Sequence, residues 1–379
     1  MKTEILTGGS ELIDELSGEW AELCDEGASS EPFLRPEWFA AFVDCFENQV
    51  YIVTVRRDGK LRALLPLVKK AGTLHGIPVR KLQAVYNLNT QRFDLIHGGD
   101  EAERKAVVKA VWSALRDMRG WDVVETRLVK KNSWLHDVLD HAEQESYKTG
   151  VWPMDAAPFI MLPQADDTPS AIAAFFKGPR KHLRQELDRR LRRLQELGTV
   201  EFATTTTFSP ELTQTFFDLE GKGWKGRQGT AVVDDPVVVR LHDDFAQAVA
   251  DSGSLLIYEL KLGCKTIAMS INIRYSRETV HWKTTYDEEY SRYSPGNLLF
   301  RELLKDCIEC GSNEIDFLSP SSPNKLSWAT GEREHVAFYI FDRSLWGMLL
   351  WNWKFRFVLG LQELRDLRSE KRVLTSATR

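Results

Sequence analysis

Residues 279–310 read TVHWKTTYDEEYSRYSPGNLLFRELLKDCIEC, and the reading of this stretch decides the fold. Thr279 to Tyr286 carries the β-branched and aromatic residues of a buried strand. A polar loop, Asp287 to Ser294, follows, and Pro295-Gly296 then opens a helix that runs from Asn297 to Cys310. A helix start exposes unpaired N–H groups and a partial positive charge, which together attract phosphate oxygens. Glycine lets a ligand approach the backbone, and proline removes an N–H that would otherwise need a partner. Ser294, Gly296, Asn297 and Leu298 are therefore the expected cradle for a pyrophosphate.

Upstream, Ser254–Leu262 and Lys265–Tyr275 join Thr279–Tyr286 in a three-strand meander, linked by Gly263-Cys264 and by Ser276–Glu278. A strand at Val200–Thr206 and helices at Pro210–Trp224 and Pro236–Asp251 precede the meander. Strands at Glu314–Leu318 and Val336–Phe341 come after it. Before all of these, one long helix is expected from Ala171 to Leu197, with Leu183, Leu187, Leu191 and Leu194 on a single apolar stripe. Around the stripe stand Arg180, Lys181, Arg184, Arg189, Arg190, Arg192 and Arg193, offset only by Glu186 and Asp188. Such a run is either a solvated face or an anion site.

The leading part mixes the same ingredients. Helices are expected at Glu11–Asp25, after Pro36 to Phe46, at Glu101–Met118 and at Trp134–Glu145. Val50–Arg57 and Lys60–Lys69 flank Asp58-Gly59 as a hairpin, and Trp121–Val129 and Phe159–Leu162 read as strands. The class is α+β, with mixed central sheets. The polar, proline-bearing segment Pro163–Ser170 marks a boundary. It divides the chain into domains at 1–165 and 166–345, with a tail at 346–379. Hairpins and helices in both halves fit a duplicated domain.

A chain of 379 residues has room for two cores, and 43% hydrophobic with 28% charged residues is ordinary for a globular protein. The net charge of −5 gives no global pull towards nucleic acid. Glu4, Glu11, Asp14, Glu15 and Glu19 interrupt any secretory core near the N-terminus, so a cytoplasmic location is expected. Five cysteines, an odd number, read as reduced thiols; Cys307 and Cys310 are a lone C-x-x-C with no nearby His, so no metal is expected. Leu345 to Leu361 is apolar but interrupted by Asn352, Lys354 and Arg356, and it falls short of the roughly 20 residues that span a bilayer. Trp346, Trp351, Trp353, Phe355 and Phe357 beside basic residues suit either a closing helix in the core or peripheral contact, through 345–372, with the inner face of a membrane.

The run Lys283-Thr-Thr-Tyr-Asp-Glu-Glu-Tyr-Ser-Arg-Tyr-Ser-Pro-Gly-Asn-Leu-Leu, with Ile315-Asp316-Phe317 and Asn324-Lys325, resembles the CelD-like branch of the GNAT acyltransferase superfamily. Phe33-Leu34-Arg35-Pro36-Glu37-Trp38-Phe39, Leu219-Glu220, Trp224-Lys225-Gly226-Arg227 and Gly229-Thr230 are similar to it as well. The likeness covers about residues 30 to 345. It implies tandem GNAT-like domains, with an acyl-CoA donor site in the second and no metal. In the superfamily the pyrophosphate turn is Gln/Arg-x-x-Gly-x-Gly/Ala; Arg292-Tyr-Ser-Pro-Gly-Asn keeps the arginine but shifts and replaces the glycines. The related FemAB-like peptidyltransferases use aminoacyl-tRNA, and that donor would call on the basic helix at 180–193. A non-catalytic scaffold in envelope polysaccharide or lipid assembly is the third reading.

Transfer of this type is direct attack by an amine on a thioester. It needs a base for the ammonium proton and donors for the carbonyl oxyanion. His281 titrates near neutrality, and simple alternation places His281, Lys283 and Thr285 on one strand face. Glu220 and Asp316 are the other candidate bases. Lys283 and Lys325 are expected at a substrate anion, Tyr286 at the leaving thiolate, and Trp224 at the acceptor, in a glycine-rich loop that lacks the Gly-Lys-Ser/Thr of a nucleotide P-loop. The acceptor amine is an amino sugar, an amino acid or a long-chain amine.

Overall fold

A computed structural model describes residues 1–27, 31–164, 167–178, 180–229, 231–318 and 320–359, without the side chains of Trp224 and Lys225. Strands β1 (Lys2–Gly8), β2 (Val50–Arg57), β3 (Lys60–Leu74), β4 (Ile77–Ala84), β5 (Ile96–His97), β6 (Val123–Lys130) and β7 (Lys148–Pro153) come first. They are followed by β8 (Ala157–Met161), β9 (Val200–Thr205), β10 (Leu255–Leu262), β11 (Lys265–Tyr275) and β12 (Glu278–Tyr286). The last are β13 (Glu314–Asp316), β14 (Gly331–Arg333) and β15 (His335–Phe341). The helices are α1 (Ser10–Glu26), α2 (Pro36–Phe46), α3 (Arg104–Asp117), α4 (Leu135–Gln144), α5 (Thr168–Phe175) and α6 (Arg180–Gln195). After them come α7 (Pro210–Gly221), α8 (Trp224–Arg227), α9 (Pro236–Asp251), α10 (Pro295–Glu309), α11 (Pro323–Trp328) and α12 (Leu345–Asn352), which runs into a π-helical turn, Trp353–Val358.

Two compact units result. Unit 1 holds Met1–Gly27, Glu47–Met154 and residues 335–359; unit 2 holds residues 31–46 and Asp155–Glu334. The division differs from contiguous domains at 1–165 and 166–345 with a separate tail. Sheet pairing, not the polar segment at 163–170, sets it. Unit 1 is the sheet β1-β2-β3-β4-β6-β15-β7, with β5 on β3; unit 2 is β14-β8-β13-β12-β11-β10-β9. So β8 completes the later sheet beside β13, and β15 inserts between β6 and β7. The segment from Leu345 closes unit 1: Leu350, Trp351 and Phe355 pack with Val123, Tyr339 and Phe341.

Both units share one topology. Each has a four-strand antiparallel meander, a crossover helix (α3 or α10), and a strand parallel to the last meander strand. The hairpin turn Asp58-Gly59 takes left-handed φ of 53° and 81°, as a tight two-residue turn requires. The expected helix at 171–197 is instead two, α5 and α6, broken where Gly178 adopts φ 61°. The leucine stripe nevertheless holds α6 on the body: Leu187 and Leu194 join the core of unit 2, with Leu183 and Leu191 packed against it.

Candidate active site

In unit 2, β12 and β13 pair over only three positions, from Glu278↔Glu314 to Val280↔Asp316. Beyond them β12 runs on through residues 281–286, hydrogen-bonded to β11 alone among the described residues. Its other edge therefore presents backbone N–H and C=O groups outside any ladder, the kind of edge that an extended ligand completes.

A β-bulge shapes this edge. Asn272 pairs with His281 and Ile271 with Lys283, so Trp282 is the extra residue. The bulge overturns the alternation expected from the sequence. His281 lies against Phe300 of α10 at 5.1 Å, while Trp282 turns to the other side, stacked on His242 at 5.2 Å and edge-on to Phe245. Thr284 and Tyr286 return to the α10 side, next to Gly296. Lys283 and Thr285 thus do not share a face with His281.

The ring of His281 is buried, and its Nδ1 lies 2.6 Å from Asn272 Oδ1. Since the Asn272 amide nitrogen already donates to Leu256 O and Ser270 Oγ, His281 Nδ1–H is the donor and Nε2 keeps its lone pair. Burial drives its pKa down to about 3, and the ammonium of Lys325 adds to the shift. A base that weak is mismatched to an ammonium proton at neutral pH, so the geometry suits His281 to holding the bulge rather than to proton transfer.

At the start of α10, Ser294 takes a left-handed φ of 49° and caps without a side-chain bond. The N–H groups of Asn297 and Leu298 both donate to Ser294 O, and the Asn297 side chain accepts from Trp328 Nε1 at 3.0 Å. The Leu298 side chain is buried in the core, so only its backbone could face a ligand at this helix start. The Gly296 N–H meets no protein acceptor among the described residues. A Cβ at 296 would find only ordinary contact, 3.6 Å from the Tyr286 ring, so the fold itself has room for a side chain there. Half-exposed Tyr286 stands over this helix start, and the Arg292 guanidinium rests on Tyr293 at 4.7 Å.

Glu220 is buried near the end of α7, where its Oε2 accepts from Val232 N–H at 3.1 Å. One turn earlier, Phe217 meets His242 edge-on at 6.0 Å, which places the α7 and α9 side of the sheet beside the bulged Trp282. His242, buried with Nδ1 2.6 Å from Val238 O, was not singled out from the sequence; it lies four residues past Val238, among the buried residues of α9 with Leu241, Phe245 and Val249. The glycine-rich loop after Glu220 is tied down by Arg227, whose guanidinium bonds both oxygens of Glu288 just before α10. The Trp224 side chain falls outside the described residues.

Asp316 and Lys325 are already engaged. One Asp316 oxygen accepts from Arg333 at 3.0 Å and the other from Leu318 N–H at 2.6 Å. Lys325 Nζ donates to the carbonyls of Phe317, Leu318 and Pro320, clamping the chain after β13. Among the described residues no cluster of three or more His, Cys, Asp or Glu is arranged to hold a metal, and no helix is long and apolar enough to cross a membrane.

Residues 181–326 match the family described as an acetyltransferase (GNAT) domain. No curated protein matches the chain by sequence. Solved structures share its fold. The C-terminal domain of a protein described as a lysylphosphatidylglycerol synthetase from Agrobacterium fabrum is 13% identical over 89% of this chain and 95% of that one, with a TM-score of 0.55. FemX is 11% identical over 92% and 100%, with a TM-score of 0.54. A protein of unknown function from Bacteroides thetaiotaomicron gives 12%, 90%, 100% and 0.53. At such identities these likenesses speak for the fold. The matched domain spans the meander, the crossover helix and the open edge of β12, so the likeness to an acetyltransferase (GNAT) domain falls on unit 2.

Proposed function

We propose that unit 2 transfers an acyl group from acyl-CoA to an amine. The observation that carries this reading is the open edge of β12 running up to the free Gly296 N–H. An amide-bearing thioester arm adds to that edge as a strand would, and its pyrophosphate meets the start of α10 near Arg292. The amine nitrogen attacks the thioester carbonyl carbon, the thiolate leaves, and Tyr286 is placed to donate to it. Glu220 is the proposed base, because His281 is too weakly basic and Asp316 is consumed by Arg333. Lys283, on the same side of β12 as Trp282, is the proposed contact for an acceptor anion.

Titration with acetyl-CoA and palmitoyl-CoA, and CoA release with a panel of amino sugars, amino acids and long-chain amines, tests the reading. Glu220→Gln should keep donor affinity and slow turnover by about a hundredfold or more. Normal turnover in that variant removes Glu220 from the chemistry.

A second reading, an aminoacyl-tRNA donor, draws support from α6. Its solvent face carries Lys181, Arg184, Arg189, Arg192 and Arg193, while Asp188 is bound to Arg301 and Glu186 to Arg190. Binding that falls steeply with salt would favour it. The exposed Leu345, Trp346, Met348, Leu349 and Phe357 support a peripheral membrane contact through unit 1.

A further inference from the structure

Unit 1 contains a cluster of ionisable side chains that acyl transfer in unit 2 does not use. Lys354, in the π-helical turn, is almost wholly buried at 2% exposure. Its ammonium lies 3.9 Å from the ring centre of Trp152 and 4.2 Å from that of Tyr339, and 3.1 Å from His75 Nε2. Among the described residues no carboxylate forms an ion pair with it. The nearest acid, Glu125, is already shared. It binds Lys81 at 2.7 Å, accepts from Tyr339 Oη at 3.0 Å, and faces Arg127 at 3.8 Å. Arg127 lies over the Tyr86 ring, and its buried Nε has no hydrogen-bond partner.

The register explains the gathering. Gln83 of β4 and Tyr339 of β15 both pair with Glu125 of β6, so neighbouring strands deliver these groups to one level of the sheet. One carboxylate thus pairs with two cations and acts on a third, Lys354, only at longer range, and uncompensated buried charge is costly. The cost registers on the groups themselves. Burial above all pushes the Lys354 amine down to about 8; Glu125 opposes the shift, and Arg127 and Lys81 reinforce it. His75 is lowered too, first by burial and then by Lys354. Exposed His75 and half-exposed Arg127 open the cluster to solvent.

We propose that unit 1 binds a small oxyanion, a carboxylate or a phosphate, between Lys81, Arg127 and Lys354. The anion supplies the charge that Glu125 alone does not, and the aromatic walls of Trp152 and Tyr339 keep Lys354 aimed at it. The proposal stands apart from the acyl-transfer site, so either can fail alone.

The test uses the full chain, with inorganic phosphate and acetate against chloride at equal ionic strength, followed by thermal shift and calorimetry. Saturable stabilisation in the wild type that is lost in both Lys354→Met and Arg127→Gln supports the site. A second signature is proton uptake near pH 8, because an anion raises the Lys354 value; it is read by calorimetry in two buffers of different ionisation enthalpy. The sign without anion is fixed. Between about 8 and the ordinary 10.5 the unfolded chain holds a proton that the folded chain has released, so stability rises with pH across that window. Lys354→Met should lack that rise. Vesicles of phosphatidylglycerol form the last arm: binding that free phosphate displaces assigns the anion to a headgroup, and phosphate binding without vesicle binding assigns it to a soluble molecule. Stabilisation no greater than chloride gives, or equal in the wild type and both variants, overturns the proposal.

Discussion

The two units solve the same topological problem with different residues. In unit 1 the parallel pair runs from Lys81↔Val123 to Gln83↔Glu125, and in unit 2 from Glu278↔Glu314 to Val280↔Asp316. One residue before each pair a backbone bond starts the fork, Asp122 N–H to Arg80 O in one and Asn313 N–H to Arg277 O in the other. At the third position each unit buries a carboxylate held by cations, Glu125 by Lys81 and Asp316 by Arg333. A feature present in both units answers to the fold. What differs answers to chemistry: β4 stops at Ala84, just past its pairing, whereas β12 continues to Tyr286 with an open edge. The crossover helices differ as well. Asp100, Glu101 and Glu103 crowd the start of α3, while α10 starts with Pro295, Gly296 and Asn297. Of these two helix starts, the second lacks acidic side chains, as the proposed phosphate contact requires.

The largest expected effect tests the shared feature. Arg333 bonds Glu314 through both oxygens and Asp316 through one, all three half-buried or deeper. Arg333→Met strands two buried carboxylates and should cost about 3–5 kcal/mol in urea unfolding. Lys81→Met should cost less, since Tyr339 and Arg127 remain on Glu125. A loss below about 1 kcal/mol in Arg333→Met breaks the comparison, because Asp316 would then be available as a base.

The next effect tests the difference. Gly296→Glu gives α10 the acidic start that α3 has. The Cβ has room beside Tyr286, and an acid in the first turn suits a helix, so stability should hold. Affinity for acetyl-CoA should fall about tenfold or more, which corresponds to about 1.4 kcal/mol, by charge repulsion at the phosphates. Unchanged affinity in calorimetry places the donor elsewhere.

Much of unit 2 was legible because its signals are local. The meander, the helix Pro236–Asp251 and the Pro-Gly helix start follow from period, proline position and turn residues. Strands β1, β4 and β7 were not, because KTEILTG, IPVRKLQA and KTGVWP alternate weakly and owe their structure to neighbours far along the chain. The unit boundary escaped for the same reason: β8 and β15 are assigned by partners, not by composition. Around the candidate site, the helix start at Pro295-Gly296 and the helix that carries Glu220 were readable, but the bulge at Trp282 was not. One unpaired residue, set by the register with β11, moved Lys283 away from His281 and brought in His242. The ion pairs that occupy Asp316 and the carbonyls that occupy Lys325 are likewise tertiary facts.

The smallest expected effect asks whether the units also divide labour, with chemistry in unit 2 and attachment in unit 1. The α12 segment has two sides. Leu350, Trp351, Lys354 and Phe355 turn into unit 1, where Trp351 Nε1 donates to Thr149 O at 2.6 Å. Leu345, Trp346, Met348, Leu349 and Phe357 remain exposed, and Phe357 stacks on Trp353 at 4.7 Å. The basic Arg365, Arg368, Lys371 and Arg372 lie outside the described residues. Removing the whole segment would strip the buried side from unit 1, so truncation cannot separate attachment from folding. Surface substitution can. Trp346→Ser, Leu349→Ser and Phe357→Ser together remove three of the five exposed apolar side chains and leave Leu350, Trp351, Lys354 and Phe355 in place. If the face rests in a lipid headgroup layer, the triple variant should keep its melting temperature within a few degrees and lose severalfold in co-sedimentation with anionic vesicles. Equal sedimentation of variant and wild type, or none by either, leaves unit 1 without an attachment role and assigns the exposed rings to another surface.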